Sequence, residues 1–181
     1  LPGTTSFAEM AIRVYEIDLP QEPIALEAND CQALRKHLPE NDALKLLHAD
    51  MLRFLQRHDE AMALYDELAV ESPDNTTIVY RRINCLVQAG QRERAAAECQ
   101  RRIAQHPQDA AAYAALADLQ WDLSGPAEAL KTIDSALALQ ESADYFRVRA
   151  GILADMSQMT EAMSMANTAI FQDRNCAAAY L

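Results

Sequence analysis

The stretch AAAYAALADLQWDLSGPAEALKTIDSALALQ, residues 110–140, decides the fold. Apolar residues recur at helical spacing from Asp109 to Asp122 and again from Pro126 to Leu139. Between them Asp122-Leu123-Ser124-Gly125-Pro126 supplies a helix stop followed at once by a helix start. The same two-helix grammar recurs at Gln88-Ala89-Gly90-Gln91. Working outward, Pro39, Pro73 and Pro107 stand 34 residues apart. Ala61, Ala95 and Ala129 keep that interval, as do Ala49, Ile83 and Ala117, and Tyr65, Cys99 and Ile133. Several independent columns in one phase mark an internal repeat. Small Ala at fixed positions lets adjacent helices approach closely, and a single helix pair is too thin to bury its own apolar stripe, so neighbouring pairs must stack.

Composition agrees. Half of the 181 residues are hydrophobic, about a fifth are alanine and only four are glycine, which argues against all-β and parallel-sheet architectures. Sixteen Lys and Arg against 27 Asp and Glu leave a net charge of −11, the wrong sign for a nucleic-acid backbone or an anionic membrane as main partner. No run of about eighteen apolar residues is present, so no membrane insertion is expected. Cys31, Cys85, Cys99 and Cys176 are too far apart for a zinc ribbon or a thioredoxin-like motif. They read as small buried hydrophobes, which favours a reducing compartment such as the cytoplasm and leaves the periplasm open. The start, Leu1-Pro2-Gly3-Thr4-Thr5, has neither an initiator Met nor a basic segment before an apolar one, as expected of a fragment.

In these columns the chain resembles tetratricopeptide repeats, whose unit is two antiparallel helices in about 34 residues. The unit from Ala110 matches best, with Tyr113, Leu116, Ala117, Ala129, Ile133 and Ala136 on the pattern and Gln120 where a large apolar residue belongs. The unit from Asp42 supplies Ala49, Leu52, Ala61, Tyr65, Leu68 and Pro73; that from Thr76 supplies Val79, Leu86, Ala95, Cys99 and Pro107. The unit from Ala143 supplies Phe146, Ala150, Leu153, Ala162, Ala166 and Ala169. The resemblance implies an all-α, right-handed α-α superhelix (solenoid) of about five helix-turn-helix repeats, at 42–75, 76–109, 110–142 and 143–176 after a degenerate or capping pair in 1–41. In that first pair, helices at Phe7 to Asp18 and Ile24 to His37 flank a break, Leu19 to Pro23, with Cys31 and Leu34 at core positions. Residues 177–181 start a truncated next helix, and because a solenoid needs a polar cap the native protein is expected to continue beyond Leu181.

Some residues depart from the pattern. Arg82 and Arg149 stand where Leu belongs, Arg102 where Ala belongs, and Glu141 and Arg174 replace the closing proline. Either the first helix is rotated by one residue, so that Ile83 or Val148 takes the core position, or the arginines reach out past it. Rotation fits the Thr76 unit, where Tyr80, Ile83 and Val87 would form one stripe.

Nothing in the sequence supports catalysis: there is no phosphate loop, no nucleophile elbow and no metal pair at helical spacing, and no cofactor or metal is expected. His37, His48, His58 and His106 read as surface or cap residues. Acidic pairs such as Asp59-Glu60, Glu27 with Asp30, and Asp118 with Asp122 fit solvated helix faces. Met156, Met159, Met163 and Met165 form either core or an exposed contact surface, and exposure would promote self-association through the C-terminal face.

The resemblance also implies where a partner sits, because such repeats expose the inner face of their first helices to a concave groove. Carried over, those positions are Asp50, Arg53 and Phe54; Tyr80, Asn84, Val87 and Gln88, with Arg81 beside them; Asp118, Trp121 and Asp122; and Arg147 and Asp155. Trp121, the single tryptophan, follows Gln120, so its ring is expected toward the groove, with a place in the core as the alternative. Aromatic anchors with Asn and Arg suit an extended or helical peptide. Family members that bind chaperone C-terminal carboxylates use a Lys and Asn pair; here Leu46, Tyr80, Ala114 and Arg147 stand at the Lys position and only Asn84 fits. The expected function is a non-enzymatic protein-protein interaction scaffold for a neutral or basic peptide or helix. Two alternatives stand beside it: the repeat region of a larger enzyme or export machine (glycosyltransferase or polysaccharide secretion), and a structural subunit of an assembly.

Overall fold

A computed structural model describes residues 41–172. Eight α-helices run over them: α1 (Asp42–Phe54), α2 (His58–Glu71), α3 (Thr76–Gln88), α4 (Arg92–Gln105), α5 (Ala110–Leu123), α6 (Pro126–Leu139), α7 (Ala143–Asp155) and α8 (Met159–Gln172). No strand occurs among the described residues, as the alanine-rich, glycine-poor composition requires. None of these helices is long and apolar enough to cross a membrane. The readings made for the helices at Phe7 to Asp18 and Ile24 to His37, for Cys31 and Cys176, and for Ala177 to Leu181 lie outside the described residues. The chain divides into two compact units, one through Ala89 and one from Gly90.

In the first unit Asn41 and Asn75 cap α1 and α3, their side-chain oxygens accepting from the Leu44 N–H at 2.9 Å and the Thr77 N–H at 3.0 Å. Each cap satisfies a helix-start donor that has no partner within the helix. The core gathers Ala49 and Leu52 of α1, Ala61, Leu64 and Tyr65 of α2, and Cys85 of α3. Ala61 and Ala49 have no exposed surface, which lets α1 and α2 approach as the alanine columns anticipated. Helix α1 ends through Gln56 at φ 61°. There the Arg57 N–H reaches the Leu52 carbonyl at 2.9 Å and the Gln56 N–H reaches that of Arg53 at 3.0 Å, a Schellman closure built on a residue other than glycine.

In the second unit Ala117, Ala129, Ile133, Ala136, Val148 and Ile152 form the core. Gly125 at φ 90° and Pro126 in the first turn of α6 make the stop and start read from the sequence. Helix α7 closes as α1 does, with Ser157 at φ 61° and the Gln158 N–H on the Leu153 carbonyl at 2.9 Å.

The departures from the repeat pattern have physical accounts. Ile83 and Val148 are both buried, while Arg82 pairs with Asp66 at 2.9 Å and Arg149 with Asp134 at 2.7 Å. The two alternatives therefore combine: the neighbour of each arginine packs inward and the arginine extends to an acid on the preceding helix. In the Thr76 unit Val79 and Leu86 are buried as well, and Tyr80 and Val87 are half-buried, so the core stripe is wider than the one expected. Arg102 is buried where alanine was expected, and its Nε donates to Asp109 Oδ2 at 2.8 Å. Gln120 points its Oε1 at the Thr132 hydroxyl of α6, which donates at 2.6 Å, so a polar bond stands in for the expected apolar contact. Cys85 and Cys99 are free thiols in the core, and burial pushes the Cys99 thiol up to about 12. His48 corrects the surface-or-cap reading of the histidines: it is 6% exposed, because it lies on the same apolar stripe as Leu44, Ala49 and Leu52. Met156 packs against the core of the second unit, whereas Met159 and Met163 are exposed.

Candidate partner-binding faces

In the first unit the expected face residues of α1 and α3 converge on one carboxylate. Asp50 Oδ1 accepts from the Tyr65 hydroxyl at 2.6 Å. Arg53 Nε lies 3.8 Å from the same oxygen, and Arg81 Nε lies 3.5 Å from Asp50 Oδ2. Arg53 also donates through Nη1 to Gln88 Oε1 at 3.0 Å. Tyr65 has no exposed surface, and burial together with the Asp50 carboxylate raises its hydroxyl well above the usual tyrosine range. A phenol that keeps its proton is a permanent donor to Asp50, which in turn holds two guanidinium groups at the surface. On α3 Tyr80 is half-buried and Asn84 is exposed. Phe54, at the end of α1, is 82% exposed.

In the second unit the face is built on Trp121. The ring is half-buried and lies over α7 at Gly151, where a Cβ would stand 2.5 Å from its Cη2. Its Nε1 donates to Asp155 Oδ2 at 2.7 Å. The core alternative for Trp121 holds in part, since the residue packs against the edge of the core that contains Ala117 and Ile152. Asp122 pairs with Arg92 at 3.1 Å and Arg147 with Asp144 at 3.7 Å. Asp118 is exposed one turn before Trp121 on α5.

Two residues that shape these faces were not singled out from the sequence. Tyr65 was read only as a core column, though its hydroxyl organises the first face. Gly151 sets the position of Trp121, and a glycine inside a helix, costing about 1 kcal/mol relative to alanine, was the available signal. Among the described residues no group of three His, Cys, Asp or Glu side chains could hold a metal ion.

The family model described as tetratricopeptide repeat matches residues 55–119. No curated protein matches the sequence. Solved structures share the fold. One is a thermophilic TPR protein of Thermus thermophilus, with a TM-score of 0.68 and 15% identity over 84% of both chains. A tetratricopeptide repeat protein from Parabacteroides merdae superposes with a TM-score of 0.68 and 18% identity, over 84% of this chain and 60% of that one. MamA from Desulfovibrio magneticus gives a TM-score of 0.63 and 17% identity, over 83% of this chain and 85% of its own.

Proposed function

We propose that this chain, a tetratricopeptide-repeat protein, is a protein-interaction scaffold that holds a peptide or helix of a partner on the faces centred at Asp50 and at Trp121. Proteins of this repeat family are generally non-enzymatic scaffolds, and this chain is read in the same way.

One observation carries the reading: the groups at the centres of these faces, Asp50 and Trp121, are already held by neighbouring helices. Tyr65 and the two arginines hold Asp50, and Gly151 and Asp155 hold Trp121. Side chains ordered in advance lose little entropy on binding, so each contact contributes more of its gross energy to affinity. Asn84 supplies an amide able to donate to and accept from a partner backbone. Asp118 and Asp155 disfavour an acidic segment, so the partner is neutral or basic where it meets the second face.

The test is affinity capture from a lysate of the source organism, comparing the wild type with a Tyr80→Ala, Asn84→Ala, Trp121→Ala variant that keeps its helical circular dichroism. Capture by the wild type and loss by the variant is the expected result. Equal capture of the same partner by both forms would place binding elsewhere and overturn the reading.

A further inference from the structure

We infer that the α5–α7 face of the second unit docks an arginine side chain of the partner segment, stacked on the Trp121 ring beside the carboxylates of Asp118 and Asp155. This inference rests on the scaffold reading and adds the chemistry of what is recognised.

The ring is a fixed platform. One edge is seated against α7 in the space that a side chain at Gly151 would fill, and the indole N–H is anchored on Asp155. Trp121 is intermediate between buried and exposed, so part of its surface is open to a ligand. On the same stripe of α7, Arg147 stands one turn before Gly151 and pairs with Asp144 at 3.7 Å, while Ala154, beside Asp155, ends at Cβ.

Charge then selects the ligand. Asp122 and Arg147 are each matched by a partner of opposite sign. Among the described residues Asp118 has no hydrogen bond or ion pair, and Asp155 has the indole N–H alone. Two uncompensated carboxylates therefore flank an aromatic surface, an arrangement complementary to a cation. A guanidinium fits better than an ammonium: it is planar, stacks on indole, is weakly hydrated, and presents several N–H donors that can reach carboxylates while its face lies on the ring.

Trp121 is the only tryptophan, so its emission reports this site alone. The purified chain is titrated with an acetylated, amidated tetra-arginine peptide, and with tetra-lysine and tetra-citrulline counterparts. Tetra-arginine should change the emission saturably, tetra-lysine should bind about threefold or more weakly, and tetra-citrulline should not saturate. An Asp118→Asn, Asp155→Asn double variant keeps an acceptor for the indole N–H and should bind tetra-arginine about tenfold more weakly. Citrulline binding as tightly as arginine, lysine binding as tightly as arginine, or the double variant binding arginine unchanged would each overturn the inference. In the lysate capture, a double variant that retains the partner as the wild type does overturns this inference and leaves the scaffold reading standing. The scaffold reading itself fails only if the triple variant captures as the wild type does.

Discussion

The two faces are organised from opposite directions. At Asp50 the organising group comes from the core: Tyr65 is fully buried, and its hydroxyl donates from within to the carboxylate on which Arg53 and Arg81 converge. At Trp121 it lies at the surface, a half-exposed ring positioned by a missing side chain at Gly151 and one bond to Asp155. The first arrangement ties the face to the stability of its unit. The second leaves the face free to change without disturbing the core, because what holds it is local and partly solvated.

The largest effect should separate the two. Tyr65→Ala removes a fully buried aromatic and should cost about 3–5 kcal/mol in urea unfolding, whereas Trp121→Ala should cost about half as much or less. Equal losses would mean that the ring at Trp121 is as much core as Tyr65. Tyr65→Phe keeps the packing and removes the bond to Asp50, and should cost about 1–2 kcal/mol.

Alkaline pH sharpens the contrast from the other side. The folded state holds the Tyr65 proton after the unfolded chain has lost it near pH 10, so stability is fully present below that pH and falls as pH rises above it. Cys99 acts in the same sense in the second unit: its thiol is raised from the ordinary value of 9.0 to about 12, so its share of stability declines across that interval. Unfolding curves taken from pH 8 to 11 should flatten in part with Cys99→Ala and, at the upper end, with Tyr65→Phe. A pH slope that neither substitution alters would remove these two groups as its cause and leave Cys85 and Tyr145, which burial also raises.

Gly151→Ala puts a Cβ where the Trp121 ring lies. The ring must move, so the emission should shift to the red and the bond to Asp155 should loosen. Stability should change by less than about 1 kcal/mol, because the helix gains what glycine had cost it. The smallest effect is expected where the units are alike. Gln56→Gly and Ser157→Gly each relieve a left-handed residue in the same closure and should each stabilise by about 0.5 kcal/mol. A clearly larger gain in one unit would show that its helix end is under strain the other does not share.

The helical class and the core columns were legible in the sequence. Ala61, Ala95 and Ala129, spaced by 34 residues, are fully buried, and so are Ala49 and Ala117 of a second column in the same phase. The stop at Ser124-Gly125-Pro126 stands where it was read, because left-handed glycine and first-turn proline are local conformational preferences. Arg102, Gln120 and His48 were not legible in their details. Each is a polar side chain at an inward position, and what it meets there depends on an adjacent helix or loop. For Arg102 that is Asp109, and for Gln120 it is Thr132.

The same division holds for the faces. Helical spacing alone put Asp118, Trp121 and Asp122 on one stripe of α5, and Tyr80, Asn84 and Val87 on one stripe of α3. Periodicity follows from 3.6 residues per turn and needs no knowledge of neighbouring helices. Only the tertiary structure decided which groups on those stripes engage one another: Asp50 with a hydroxyl 15 residues away, and Trp121 with a carboxylate 34 residues away. Those bonds join different helices, and whether two such atoms come within about 3 Å depends on packing distances that the small residues between the helices set.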